Sequence, residues 1–157
     1  MTLIIGASRN NLIGSKAIQW WLGTNYSHVY ARWHLNSQDR DIVYQASHGM
    51  VHFASLEHFA RDNTIVKEFV LELTDEQFKR FSRKCIDLAG EAYSKLELLQ
   101  ILICDISKGK ITFNDQPGYI CSELMCELLA DIGIAIDKPK YLVTPSDIVK
   151  YLEHYLS

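Results

Sequence analysis

The spacing of apolar residues changes part-way along this chain. Toward the amino terminus the period is two. Thr2 to Ile5 is a short apolar run that predicts a strand closed by Gly6. Ser27 to Trp33 alternates, with Val29, Ala31 and Trp33 on one face and His28, Tyr30 and Arg32 on the other. Asn36 to Asp39 reads as a turn, Asp41 to Ala46 as the next strand, and Met50 to Phe53 as another strand after Gly49. Ile65 to Leu73 alternates strongly. Between the first two strands, Ser15 to Leu22 predicts a short helix or turn carrying Ala17, Ile18, Trp20 and Trp21.

After residue 73 the period lengthens to that of a helix. Thr74 with Gln77 three residues on forms a capping box, followed by the stripe Phe78, Phe81, Cys85, Leu88 and Ala92. A second helix is predicted from Leu96 to Ile106, then a loop marked by Gly109, Asn114, Asp115, Pro117 and Gly118. A third helix starts at Cys121 and stops at Gly133, with Leu124, Met125, Leu128, Leu129 and Ile132 turned inward. Thr144-Pro145-Ser146-Asp147 supplies a cap, a proline at the first helical position and an acid completing the box. Strands first and helices later, at hairpin-like spacing, predict an α+β fold with a small antiparallel sheet packed against helices. With 157 residues, no repeat and no linker, residues 1–157 read as one domain.

Composition narrows the function. A formal net charge of -3 argues against a nucleic-acid partner, which requires a surplus of Lys and Arg on one face. The amino terminus has no charged segment before its apolar residues, so no signal peptide is expected. No apolar run reaches the length of a membrane span; the longest, Leu96 to Ile103, is broken by Glu97 and Gln100. The four cysteines, Cys85, Cys104, Cys121 and Cys126, are therefore expected to be reduced thiols in a cytoplasmic protein. No Cys-x-x-Cys pair and no His-Glu-x-x-His pattern occurs. His48, His52 and His58 could be read as a metal cluster, but no carboxylate has matching spacing, and no cofactor is expected.

Cys121 carries the most information. A thiol in the first turn of a helix faces unpaired backbone N–H groups and the positive end of the helix dipole. Both favour thiolate, and the same N–H groups can stabilise an oxyanion. The competing reading is a buried cysteine acting as a small hydrophobe, which is the expectation for Cys85, Cys104 and Cys126. A thiol nucleophile needs an imidazole to take and return its proton, and His28, at the start of its strand, is the candidate. Gln45 is polar within the apolar run Ile42-Val43-Tyr44-Gln45-Ala46. It is either a solvated edge position or the residue that orients the imidazole.

Three segments in this order resemble a known family: Tyr26-Ser27-His28-Val29, then Val43-Tyr44-Gln45-Ala46, then Tyr119-Ile120-Cys121-Ser122-Glu123-Leu124. The chain resembles the circularly permuted NlpC-type papain-like hydrolases, in particular the YiiX-like group, in which the His strand precedes the Cys helix. Thr144-Pro145-Ser146-Asp147 is similar to that group's closing helix. The resemblance implies a cysteine peptidase, amidase or esterase with Cys121 as nucleophile, His28 as base and Gln45 as orienting residue. Tyr26, Tyr119 and Ser122 are the candidates for oxyanion or substrate contacts. The substrates implied are peptides, peptidoglycan-type amides or acyl-lipid esters.

The chain departs from the family in having Gln45 where Glu is frequent and Ser94 where Asp follows the tyrosine matching Tyr93. It also lacks the Asn-Cys-Glu-His-Phe stretch of the lecithin:retinol acyltransferase branch. Gln lends no negative charge, which keeps a second expectation open: a binding module with the same fold and little turnover. Gln45 and His48 compete for the orienting position. A hairpin whose paired residue numbers sum to 73 would set Gln45 opposite His28, and Gly49 places His48 beyond the strand end.

Overall fold

The structure is a computed structural model that describes residues 1–11, 13–92 and 120–157. The helix expected from Leu96 to Ile106 and the loop after it lie outside the described residues, as do Tyr93, Ser94, Cys104 and Tyr119. The strands are β1 (Thr2–Arg9), β2 (His28–Leu35), β3 (Arg40–Ser47), β4 (Met50–Ser55) and β5 (Thr64–Glu72). The helices are α1 (Ile13–Leu22), α2 (Leu56–Asp62), α3 (Asp75–Leu88), α4 (Cys121–Asp131) and α5 (Pro145–Tyr155). The strands form one antiparallel sheet in the order β4-β3-β2-β1-β5, so the expected α+β class holds.

Two expectations about the strands change. β1 does not end at Gly6 but runs on to Arg9, because Gly6 sits inside the sheet, paired with Tyr30. A Cβ there would lie 2.2 Å from Cζ of Tyr30, so the missing side chain makes room for that ring. The β2–β3 hairpin pairs Ala31 with Tyr44 and Leu35 with Arg40, a sum of 75 rather than 73. The turn Asn36 to Asp39 uses all four of its residues, a 3-10 turn followed by Asp39 at φ 48°, so residues 35 and 40 must flank it. Loop length sets hairpin register, and a shift of two keeps every side chain on its expected face.

The β3–β4 connection is tighter. Ser47 pairs with Met50, leaving His48 (φ 53°) and Gly49 (φ 93°) as the two central residues. Two positive φ angles are the signature of the type I′ turn that suits a right-twisted hairpin. His48 is thus outside the strand, as Gly49 implied.

One face of the sheet carries Leu3, Ile5, Ala7, Val29, Ala31, Trp33, Tyr44, Ala46 and Val51 into the main core. Phe81, Cys85 and Leu88 of α3, Leu124, Met125, Leu128 and Leu129 of α4, and Ile148, Val149 and Leu152 of α5 cover it. Both capping boxes read from sequence are made, Thr74 with Gln77 and Thr144 with Asp147. The opposite face carries a smaller cluster, Tyr30, Val43 and Phe59, covered by α2. Beyond it, the Arg32 guanidinium bonds both carboxylate oxygens of Glu68, at 2.7 and 2.8 Å, and Asp41 at 2.6 Å, while Tyr30 Oη donates to Glu68. No described helix is long and apolar enough to cross a membrane.

Candidate active site

Cys121 is the first residue of α4. The residue before it, Ile120, is extended (φ -92°, ψ 161°) and offers no side-chain cap. The first-turn N–H groups are therefore free of a capping side chain, as helix starts require if they are to serve another acceptor. The backbone N–H groups of Val29, Ser122 and Cys121 lie close enough to the sulfur to favour its charged form. Val29 follows His28 directly, so the thiol lies against the start of β2.

The His28 ring is held from three sides. Its Nε2 stands 2.8 Å from Oε1 of Gln45. The Phe59 ring of α2 lies 6.4 Å from it, centroid to centroid. On β1, Ser8 pairs directly with His28, and its hydroxyl is fully buried with no hydrogen-bond partner among the described residues. Gln45 is only 5% exposed, on a strand paired on both sides, which removes the solvated-edge reading. Its Nε2 lies 3.4 Å from Nε2 of His52, the residue paired with it on β4, and Nδ1 of His52 lies 3.2 Å from the Met50 carbonyl oxygen. Ser8, His28, Gln45 and His52 thus form a polar row across four strands.

Burial dominates the electrostatics. Desolvation pushes the Cys121 thiol up to about 11, against the lowering effect of its three backbone donors. Desolvation likewise brings His28 down to about 4; the Gln45 hydrogen bond opposes this, while His52 and His48 add to it. The helix start alone argued for a thiolate. In its folded surroundings the loss of water outweighs those N–H groups, and thiol and imidazole are both neutral at rest.

The other candidates are placed differently. Tyr26 is packed in the main core. Ser122 is fully buried and donates its hydroxyl to the Val143 carbonyl at 2.6 Å, tying α4 to the segment that leads into α5. Cys85 and Cys126 are buried, and burial raises both thiols. The His48 and His52 rings are 6.3 Å apart. Among the described residues no group of three or more His, Cys, Asp or Glu side chains could hold a metal ion. Sequence reasoning did not connect Ser8 or His52 to His28. The one available signal for His52 was alternation, which places it opposite the Val51 face.

No family model matches the chain. No curated protein matches it either. A solved structure does: the metalloprotein YiiX from Escherichia coli O157:H7 is similar with a TM-score of 0.63 and 17% identity, over 94% of this chain and 89% of that one. At this identity the likeness is one of fold, and the fold is YiiX-like.

Proposed function

We propose that residues 1–157 act as one permuted papain-like domain that hydrolyses amides or esters through Cys121. The observation that carries this reading lies at the start of β2: the His28 ring is held by Gln45 at 2.8 Å, and the backbone N–H of the next residue, Val29, is among the groups that favour the charged Cys121 sulfur. As Sγ bonds to the substrate carbonyl carbon, its proton passes to Nδ1 of His28 and the C=O pair moves onto oxygen. The backbone N–H of Cys121 supports that oxyanion. Collapse re-forms the carbonyl and expels the amine or alcohol, which takes the proton from His28. Water then attacks the thioester, His28 again accepts a proton, and the carboxylic acid leaves with the thiol restored. Because both groups are neutral at rest, His28 works as a general base during attack rather than as half of a standing ion pair.

Peptide amides, peptidoglycan-type amides and acyl-lipid esters all suit this chemistry. The acyl-lipid class has support of its own. On α1, Ile13 and Trp20 are 88% and 85% exposed on one helix face, and the Ser15 hydroxyl of that helix bonds Ser27, the neighbour of His28. The helix that carries this apolar exposed face is thus tied to the start of β2 through its opposite, buried side.

A second reading, a binding module with little turnover, is favoured by the high Cys121 and low His28 values and by the neutral Gln45. The deciding experiment pairs labelling with a substrate screen. A cysteine-directed electrophile at neutral pH is expected to modify Cys121 faster than Cys85, Cys104 and Cys126. Peptide, muropeptide and long-chain acyl ester substrates are compared on wild type and Cys121→Ala. Slow, equal labelling with no Cys121-dependent turnover would favour the binding module.

A further inference from the structure

We propose that His52 determines which ring nitrogen of His28 carries the proton, acting through the side-chain amide of Gln45. The argument is one of forced donors and acceptors. The Met50 carbonyl oxygen can only accept, so the His52 nitrogen facing it at 3.2 Å, Nδ1, carries the hydrogen. In the neutral ring the other nitrogen, Nε2, is then a lone pair. The group of Gln45 facing it at 3.4 Å must donate, which fixes that end of the amide as the NH2. The opposite end, Oε1, can only accept, and it faces Nε2 of His28 at 2.8 Å. His28 must therefore carry its proton on Nε2, leaving the Nδ1 lone pair as its base.

The sheet makes this relay possible. Gln45 and His52 are directly paired on β3 and β4, so their side chains share a face. Without His52, the Gln45 amide can turn over with little change of shape and present its NH2 to His28. The ring would then have to accept at Nε2 and hold its proton on Nδ1, the form that cannot deprotonate a thiol from that nitrogen. The groups around His52 in this relay are Gln45, the Met50 carbonyl and the His48 ring. His52 touches no reacting atom; it is a positioning residue, and its importance for turnover rests on the hydrolase reading above.

The test reads the tautomer directly. Long-range 1H–15N correlation spectra of the imidazoles at neutral pH are expected to show His28 as the Nε2–H form in wild type. In His52→Leu the Nδ1–H form should become populated. His52→Gln, whose carbonyl can accept from the Gln45 amide, should restore the wild-type spectrum. Where substrate turnover exists, kcat/KM should fall at least about tenfold in His52→Leu and recover in His52→Gln; a fully wrong tautomer costs a triad up to about 10⁴-fold. In a Gln45→Glu background both oxygens accept, so adding His52→Leu should leave the His28 tautomer unchanged. An unaltered His28 spectrum in His52→Leu would overturn the inference, as would a tautomer change that His52→Gln fails to reverse. The tautomer readout needs no turnover, so a chain that hydrolyses nothing yet shows the expected spectra would sink the proposed function and leave this inference standing.

Discussion

His28 and Gln45 are hydrogen-bonded at 2.8 Å although they are not opposite one another across β2 and β3. With Ala31 paired to Tyr44, the two side chains meet on the diagonal, within reach because both belong to the same face. The bond closes the row that runs from Ser8 to His52.

Gln45→Glu sets a carboxylate beside the imidazole and should raise the His28 pKa from about 4 by about 1–3 pH units. The acid limb of a pH–rate profile would move up with it. Gln45→Leu removes the described contact that raises His28, so its pKa should fall further and the rate should drop. Both shifts are measurable by imidazole NMR titration. An unchanged titration in either variant would mean that the amide does not govern the ring.

Cys121→Ala should abolish hydrolysis with the fold intact, since no other described thiol adjoins the start of β2. Cys85→Ala should keep activity and cost about 1 kcal/mol, because that sulfur is fully buried between α3 and the sheet. Circular dichroism, urea unfolding and turnover on the same preparations separate the two effects.

Acid should destabilise the fold through His28. Its pKa is lowered in the folded state from 6.5 to about 4, so between these values the unfolded chain binds more protons. Stability is then fully present above about pH 6.5 and is lost as pH falls toward 4, by at most about 3 kcal/mol from this group. His28→Gln should flatten that part of the stability–pH curve. The same slope in the variant would assign the acid sensitivity elsewhere.

Gly6→Ala should be destabilising by roughly 1–3 kcal/mol, the range for overfilling a packed interior. The new Cβ would fall 2.2 Å from the Tyr30 ring, which is fully buried and anchored by its hydrogen bond to Glu68. Urea unfolding measures the loss. Adding Tyr30→Leu should recover part of it, and a purely additive double variant would refute the steric account.

Ser8→Ala should raise stability by about 1 kcal/mol, because its buried hydroxyl has no partner among the described residues. If a substrate draws on that hydroxyl beside His28, the same change should raise KM with little effect on kcat. Lower stability on urea unfolding would show that the hydroxyl is satisfied in solution.

The residues of the candidate site stand out in the sequence because their signals are local. A cysteine at a helix start, a histidine at the head of an alternating strand and a glutamine inside an apolar run each stand out against a periodic background. Face assignment was also secure: side chains in a strand alternate strictly, so a register error of two residues left His28 and Gln45 on one face. His48 could be set aside in sequence because Gly49 marks a turn, and the structure gives it a positive φ. The capping boxes at Thr74 and Thr144 were legible for the same reason, being made within four residues.

Local pattern was thus enough for the α+β order, the strand faces and the helix starts, and it singled out three candidate residues. The remaining features came from contacts between distant segments. Gly6 became mid-strand because the Tyr30 ring, 24 positions away, needs its space. The charge state of Cys121 and His28 reversed the helix-start argument because desolvation depends on what the whole chain stacks over a group. Ser8 and His52 joined the row through strand pairing across β1–β2 and β3–β4. Alternation tells a residue which side it faces, but its neighbours on that side are set by how separate strands align, and that alignment is fixed by loop length and core packing rather than by any single segment.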